Sequence, residues 1–278
     1  MEHFLIWETQ VGQPGYPGAC GMMSPTHLIV TVICLALLGL ALWYSRGISE
    51  KAYRRIVLIC AVTVTVLECC KIAFNWAHGG FTPNRWLPLT FCSFSIYAYW
   101  MIACGNDFIR SLGVSFMAGG GIIGGLTFLV MPMTSVATYP MLHFQSCYSM
   151  LFHSIMMYVG ISCVTRGYFK FERGGFRKYL TAAVPALALA MVVSLVYYAF
   201  TKDMVTCNMM FLVYPYRLED MFPFIGTIYH TVWGGGLLYA VSACTVYLTL
   251  PYFIPCGVVR LIKKCGACKA KERVEETV

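Results

Sequence analysis

The amino-acid sequence predicts an all-α polytopic membrane protein with seven transmembrane helices, its N-terminus outside or lumenal and its C-terminus cytoplasmic. Three observations predict it. Of 278 residues, 59% are hydrophobic and 12% charged, about half the charged share of an ordinary soluble chain. The apolar residues fall into runs near the roughly 20 that a hydrocarbon core of about 30 Å requires, and they are apolar on all sides, unlike the alternating strands of a barrel. The cations are also distributed unevenly between the loops that separate these runs.

The expected organisation is an N-terminal segment over 1–26, a seven-helix domain over 27–251 and a basic cytoplasmic tail over 252–278. The first segment carries Gly, Pro and two acids and lacks the basic start of a signal peptide. The expected spans are Leu28–Tyr44, Ile56–Trp76, Leu87–Cys104, Ser111–Met131, Leu142–Val164, Leu180–Phe200 and Phe222–Leu250, the last long enough to tilt. Gly79, Gly80 and Pro83 precede the third span, Gly105 follows it, and Pro132 and Pro140 bracket a short turn.

Alternating the loops places Arg46, Lys51, Arg54, Arg55, Arg110, the Arg166–Lys178 cations and the basic C-terminal residues on one side. Only Arg85, Lys202 and Arg217 fall on the other. Lys and Arg in short loops are retained on the cytoplasmic side during insertion, which sets the orientation. The net charge of +8 is spread over loops and tail, so anionic lipid headgroups are its natural partner and no nucleic acid is expected. No metal set and no cofactor is expected.

The 14 Cys lie mostly inside spans, where a thiol behaves as a small apolar group. Cys20 and Cys207 share a side and are candidates to pair. Cys265 and Cys268 form a lone CxxC in the tail. Palmitoylation of these or of Cys256 is a candidate role, and having none is the plainer reading.

An ionisable group inside the membrane must face protein or a water-filled cavity, so three polar stripes stand out. In the second span Glu68, Lys71 and Asn75 share one helical face, with Thr65 a turn earlier. In the third, Cys92, Ser95 and Tyr99 repeat the spacing behind Pro88, and in the fifth Ser146, Ser149 and His153 do so. Taken singly, each stripe is ordinary helix packing. Together they predict a polar chamber open toward the outer or lumenal leaflet, with Lys71, Cys92 and the loop residue Asn208 in its outer half. The glycines at 119–121, 124–125 and 234–236 are expected to be packing surfaces, since they lack the strand and Lys of a phosphate loop.

In order and spacing these pieces resemble the YwaF-like integral membrane protein family, related to the human transmembrane protein 164 family, over roughly residues 50–240. The resemblance rests on Glu68 and Lys71, then Leu87-Pro88-Leu89-Thr90-Phe91-Cys92, where Thr90 stands in place of a His of bacterial relatives. It continues through the Gly-rich span closing at Pro132, His153, the Asn208–Leu212 segment and His230. What it implies is transfer of acyl chains onto phospholipids through a Cys thioester, with a lysophospholipid and an acyl donor as partners. Cys92 would then be the nucleophile and His153 or His230 the base. Lys71 would favour the thiolate, and Asn208 or Ser95 would hold the oxyanion. The residues alone leave two other readings open. One is a small-solute or proton-coupled transporter, although no inverted repeat is seen; the other is a structural or assembly protein. A seven-span receptor is disfavoured, because the sequence has no Asn-Pro-x-x-Tyr and no Lys in the last span.

Overall fold

The structure is a computed structural model that describes residues 3–80, 82–216 and 218–275, with side chains described to 265 apart from 221. Among these residues it is helical and has no strand. Six helices are long and apolar enough to cross a membrane: α1 (Pro25–Tyr44), α2 (Glu50–Ala77), α4 (Asp107–Val130), α5 (Phe144–Thr165), α6 (Arg173–Thr201) and α7, apolar over Gly235–Cys265. They follow the order of the expected spans.

The third expected span departs from the prediction. Helix α3 covers Phe94–Cys104, about 16 Å at 1.5 Å per residue, roughly half a hydrocarbon core. Pro83 starts a four-residue helix, Pro83–Trp86, and Pro88 interrupts the chain before α3 begins. The seventh also departs. A short helix, Pro223–Thr231, stops at Val232, Gly234 turns the chain with φ +74°, and α7 then runs as Gly235–Glu275. That helix continues without a break through the segment expected to be a separate tail.

Local chemistry sets the helix starts. Ser24, Ser49 and Asn106 accept hydrogen bonds from His27 N, Ala52 N and Ile109 N, which satisfies an orphan donor at the start of α1, α2 and α4. His143 does the same for α5 through Nδ1, which accepts from Gln145 N at 3.1 Å. The fifth span therefore begins at Phe144, two residues later than expected.

Helices α4 and α5 form the centre. Two-thirds of the α4 span is buried (67%) and 61% of the α5 span, against 11% for α1 and 17% for α7, whose exposed apolar faces suit lipid. The α4 glycines make this possible, each aimed at a different neighbour. A methyl at Gly119 would lie 2.8 Å from Pro251 O in α7, one at Gly120 2.9 Å from Phe91, and one at Gly125 2.8 Å from His153 O in α5. The expected packing role of this run is the one observed, and it includes a π-helical turn over Met117–Gly121.

Loops alternate between two ends of the bundle. At the cation-rich end Arg166 donates to Ser45 O and Ile48 O, both at 2.6 Å, and Arg54 to Ala103 O at 2.8 Å. At the opposite end the N-terminal segment folds back over the bundle. His143 Nε2 donates to Ile6 O at 2.9 Å, Arg85 pairs with Glu8 at 2.8 Å, and Trp7 stacks on His78. Cys20 and Cys207 lie toward this end but are unpaired. Cys20 Sγ meets Ser24 Oγ at 3.1 Å, while Cys207 is buried and donates to Asp203 O. Cys256 is buried and Cys265 exposed; the side chain of Cys268, like residue Arg217, lies outside the described residues.

Candidate functional site

The α2 stripe holds the one carboxylate deep in the described bundle that is tied on both oxygens. Glu68 is 3% exposed. Its Oε1 accepts from Lys71 Nζ at 2.6 Å, one turn along the same helix, and its Oε2 accepts a short hydrogen bond from Tyr148 OH of α5. Lys71 Nζ also sits 5.9 Å from the centre of the Tyr148 ring. Asn75, a further turn on, accepts from Gln145 Nε2 at 3.4 Å. Thus α2 and α5 are joined by two polar pairs, and a charge in low dielectric keeps its counter-ion and a neutral donor.

The α3 stripe begins in the turn before the helix, so Cys92 is not a helical residue as the spacing predicted. Thr90 closes that turn. Its Oγ1 accepts from Ser93 N at 3.2 Å and its carbonyl from Phe94 N at 3.2 Å. Cys92 therefore lies in a turn closed by Thr90 immediately before α3, whose own N-cap, Ser93, makes no side-chain cap bond. Among the described residues no hydrogen bond satisfies the N–H groups of Phe91 and Cys92. The thiol faces α4: a methyl at Gly124 would lie 3.5 Å from Cys92 Sγ and 2.8 Å from the methyl of Met156. Tyr148, Tyr99 and Tyr247 lie within electrostatic reach of Cys92. Ser95 Oγ and Tyr99 OH lie near each other, fully buried, without meeting hydrogen-bond geometry.

The α5 stripe carries His153, 7% exposed. Its Nδ1 lies 2.7 Å from Ser149 O, and its ring stacks on Phe128 with centroids 3.6 Å apart. A carbonyl only accepts, so a neutral imidazole here carries its proton on Nδ1 and leaves Nε2 as an acceptor. Ser149 thus contributes through its backbone, while Ser146 Oγ is buried without a partner among the described residues. Phe128 follows Gly124 by one turn of α4, so Cys92 and His153 meet the same α4 face about 6 Å apart along its axis. They do not hydrogen-bond to each other.

With this geometry in place, comparison with known proteins adds one decisive finding: a family model, the TMEM164 family, matches residues 22–253. The chain belongs to the TMEM164 family. Together with the six apolar helices this makes it an integral multi-pass membrane protein. No curated protein and no solved structure matches it.

Two residues that the sequence nominated lie apart from this centre of the TMEM164-family chain. His230 is on the short helix before α7, 55% exposed, with Nε2 3.2 Å from Glu219 Oε2. Its neighbours are Tyr229 and Tyr214. Tyr214 OH donates to Glu219 at 2.6 Å, and that bond to a carboxylate is the main reason its phenol is pushed up to about 12. Asn208 spends its amide on its own loop. Nδ2 donates to Tyr214 O at 2.6 Å and Oδ1 accepts from Val213 N and Tyr214 N. That bonding makes Asn208 a loop clamp.

Sequence reasoning missed Tyr148, Gln145 and Phe128. Gln145 and Tyr148 are three residues apart on α5 and form a second polar stripe beside the nominated one. That spacing was the available signal for the first two. Phe128, one of 18 Phe, had none.

Proposed function

We propose that this TMEM164-family protein is a membrane-embedded lipid acyltransferase whose nucleophile is Cys92. The observation that carries this reading is the setting of Cys92 in the Thr90-closed turn just before α3, with its own N–H and that of Phe91 unspent among the described residues and a bonded acid, base and phenol close by. Such N–H groups suit a developing oxyanion, and the helix start that follows them favours negative charge there.

In this reading Cys92 Sγ attacks the carbonyl carbon of an acyl donor, and His153 Nε2 accepts the thiol proton across the intervening substrate or water. The bond from the acyl carbon to the donor's leaving group breaks, and that group departs with the proton. A lysophospholipid hydroxyl then attacks the thioester. A new ester forms, the C–S bond breaks, and the hydroxyl proton returns to Sγ. The Phe91 and Cys92 N–H groups hold the oxyanion, in place of Asn208, and the Glu68–Lys71–Tyr148 network keeps the surroundings polar and neutral overall. The cation asymmetry supports an orientation with this end outside or lumenal. The folded-back N-terminal segment lies over that end, so substrate enters from the side of the bundle.

The test is labelling of the protein in native lipid with an alkyne-tagged, thiol-reactive acyl donor. Label that maps to Cys92, vanishes in Cys92→Ser and falls in His153→Ala is the expected result. Label indifferent to Cys92 removes the covalent mechanism and returns the weight to a transport pathway through Glu68, Lys71 and His153, or to packing alone.

A further inference from the structure

At the end of the bundle opposite Cys92, the start of α2 and the end of α3 border an open surface cleft of about 470 Å³ lined by Glu50, Lys51, Arg54, Arg55, Leu58 and Ala103. Arg110, at the start of α4, borders it through Glu50 at 3.6 Å and also pairs with Asp107 at 3.3 Å. Four cations thus face two carboxylates, leaving two positive charges unbalanced. Arg54 is held in place by its Nη2 bond to Ala103 O, yet its Nε–H is buried without a partner among the described residues, and so is that of Arg110. A buried guanidinium donor left unmet is costly unless something supplies an acceptor.

The floor of the cleft indicates what that acceptor belongs to. Leu58 closes the cationic patch, and Val62 and Val66 continue the same α2 face toward mid-span, all three exposed. Across the groove stands exposed Trp100 of α3, fixed by an Nε1 bond to Thr65 Oγ1 at 3.1 Å. A cluster of cations above a continuous apolar stripe matches a molecule with an anionic head and a long apolar tail. A soluble phosphate would use only the upper part.

We propose that this cleft binds an anionic phospholipid by its headgroup, with preference for a phosphomonoester of two negative charges and with one acyl chain lying along Leu58, Val62 and Val66. The site is independent of Cys92 chemistry, so its test reads binding. The full-length, delipidated protein in detergent is titrated with dioleoyl phosphatidic acid and with dioleoyl phosphatidylcholine by native mass spectrometry.

Each surface cation contributes about fivefold to such binding, so Lys51→Ala with Arg55→Ala lowers phosphatidic acid affinity about thirtyfold. Both side chains are exposed, which spares the fold. The pair Arg177→Ala with Lys178→Ala, exposed on α6, removes the same charge elsewhere and leaves the affinity unchanged. Preference for phosphatidic acid over phosphatidylcholine that is lost only in the first pair supports the site. Equal retention of both lipids, or equal loss in both pairs, overturns it. Displacement of the lipid by glycerol 3-phosphate at equal concentration overturns the lipid assignment in favour of a soluble phosphate.

Discussion

Two regions drew attention in the sequence, the stripes of the central helices and the Asn208–His230 segment, and they are built on opposite principles. In the centre, Glu68, Lys71 and Tyr148 bond one another across two helices with little solvent, so each group depends on its partners. In the segment before α7, Asn208 bonds only its own loop and His230 stands half in solvent beside Glu219. Inside the packed bundle Glu68 serves both Lys71 on its own helix and Tyr148 on a helix far along the chain. In the segment before α7, Asn208 and His230 bond only residues of that same segment.

That contrast is broken most forcefully at Glu68. Glu68→Ala strands the Lys71 ammonium and the Tyr148 hydroxyl, and the expected loss is about 3–5 kcal/mol, read as a fall in thermal midpoint in detergent. Removing Lys71 as well restores part of that loss. A double variant no more stable than the single one would show that the pair is not the unit described here.

Gly125→Ala comes next. Its methyl would meet Met157 and stand 2.8 Å from His153 O, so α4 and α5 must part. The expected loss is about 1–3 kcal/mol, together with loss of acyl labelling. An unchanged midpoint would mean that the two helices are free to adjust.

A smaller effect comes from acid. Burial pushes the His143 imidazole below its usual range, and the ring donates to Ile6 O while accepting from Gln145 N, a pattern only the neutral form satisfies. The unfolded chain therefore binds the proton more readily. This contribution is complete above the ordinary histidine value of 6.5 and is lost as pH falls below it toward the lowered folded value. Proteolytic nicking of the N-terminal segment should rise over that interval in the wild type and be independent of pH in His143→Ala.

The smallest effect is expected at His230, where an exposed pair with Glu219 contributes less than about 1 kcal/mol. His230→Ala should leave both midpoint and labelling where they were.

Helical periodicity carried the Glu68–Lys71 pair, the Asn75 face and the His153 position directly from sequence to structure, because neighbours on one helix are fixed by spacing alone. It failed where the backbone leaves the helix. Pro88 and the Thr90 hydrogen bonds place Cys92 in a turn, and Gly234 divides the last expected span. Pairings between helices were also hidden. Nothing in the order of residues says that Tyr148 reaches Glu68, or that His230 joins Glu219 and not Cys92.

The most direct measurement is single-turnover acyl transfer from labelled protein to a lysophospholipid, comparing His153→Ala, Tyr148→Phe and His230→Ala. The central-site account predicts that His153→Ala slows transfer by about a hundredfold or more, the range for lost acid–base catalysis, and that Tyr148→Phe, which removes only a support of the Glu68–Lys71 pair, slows it less, while His230→Ala keeps the wild-type rate. Loss of transfer in His230→Ala with a normal rate in the other two would contradict it.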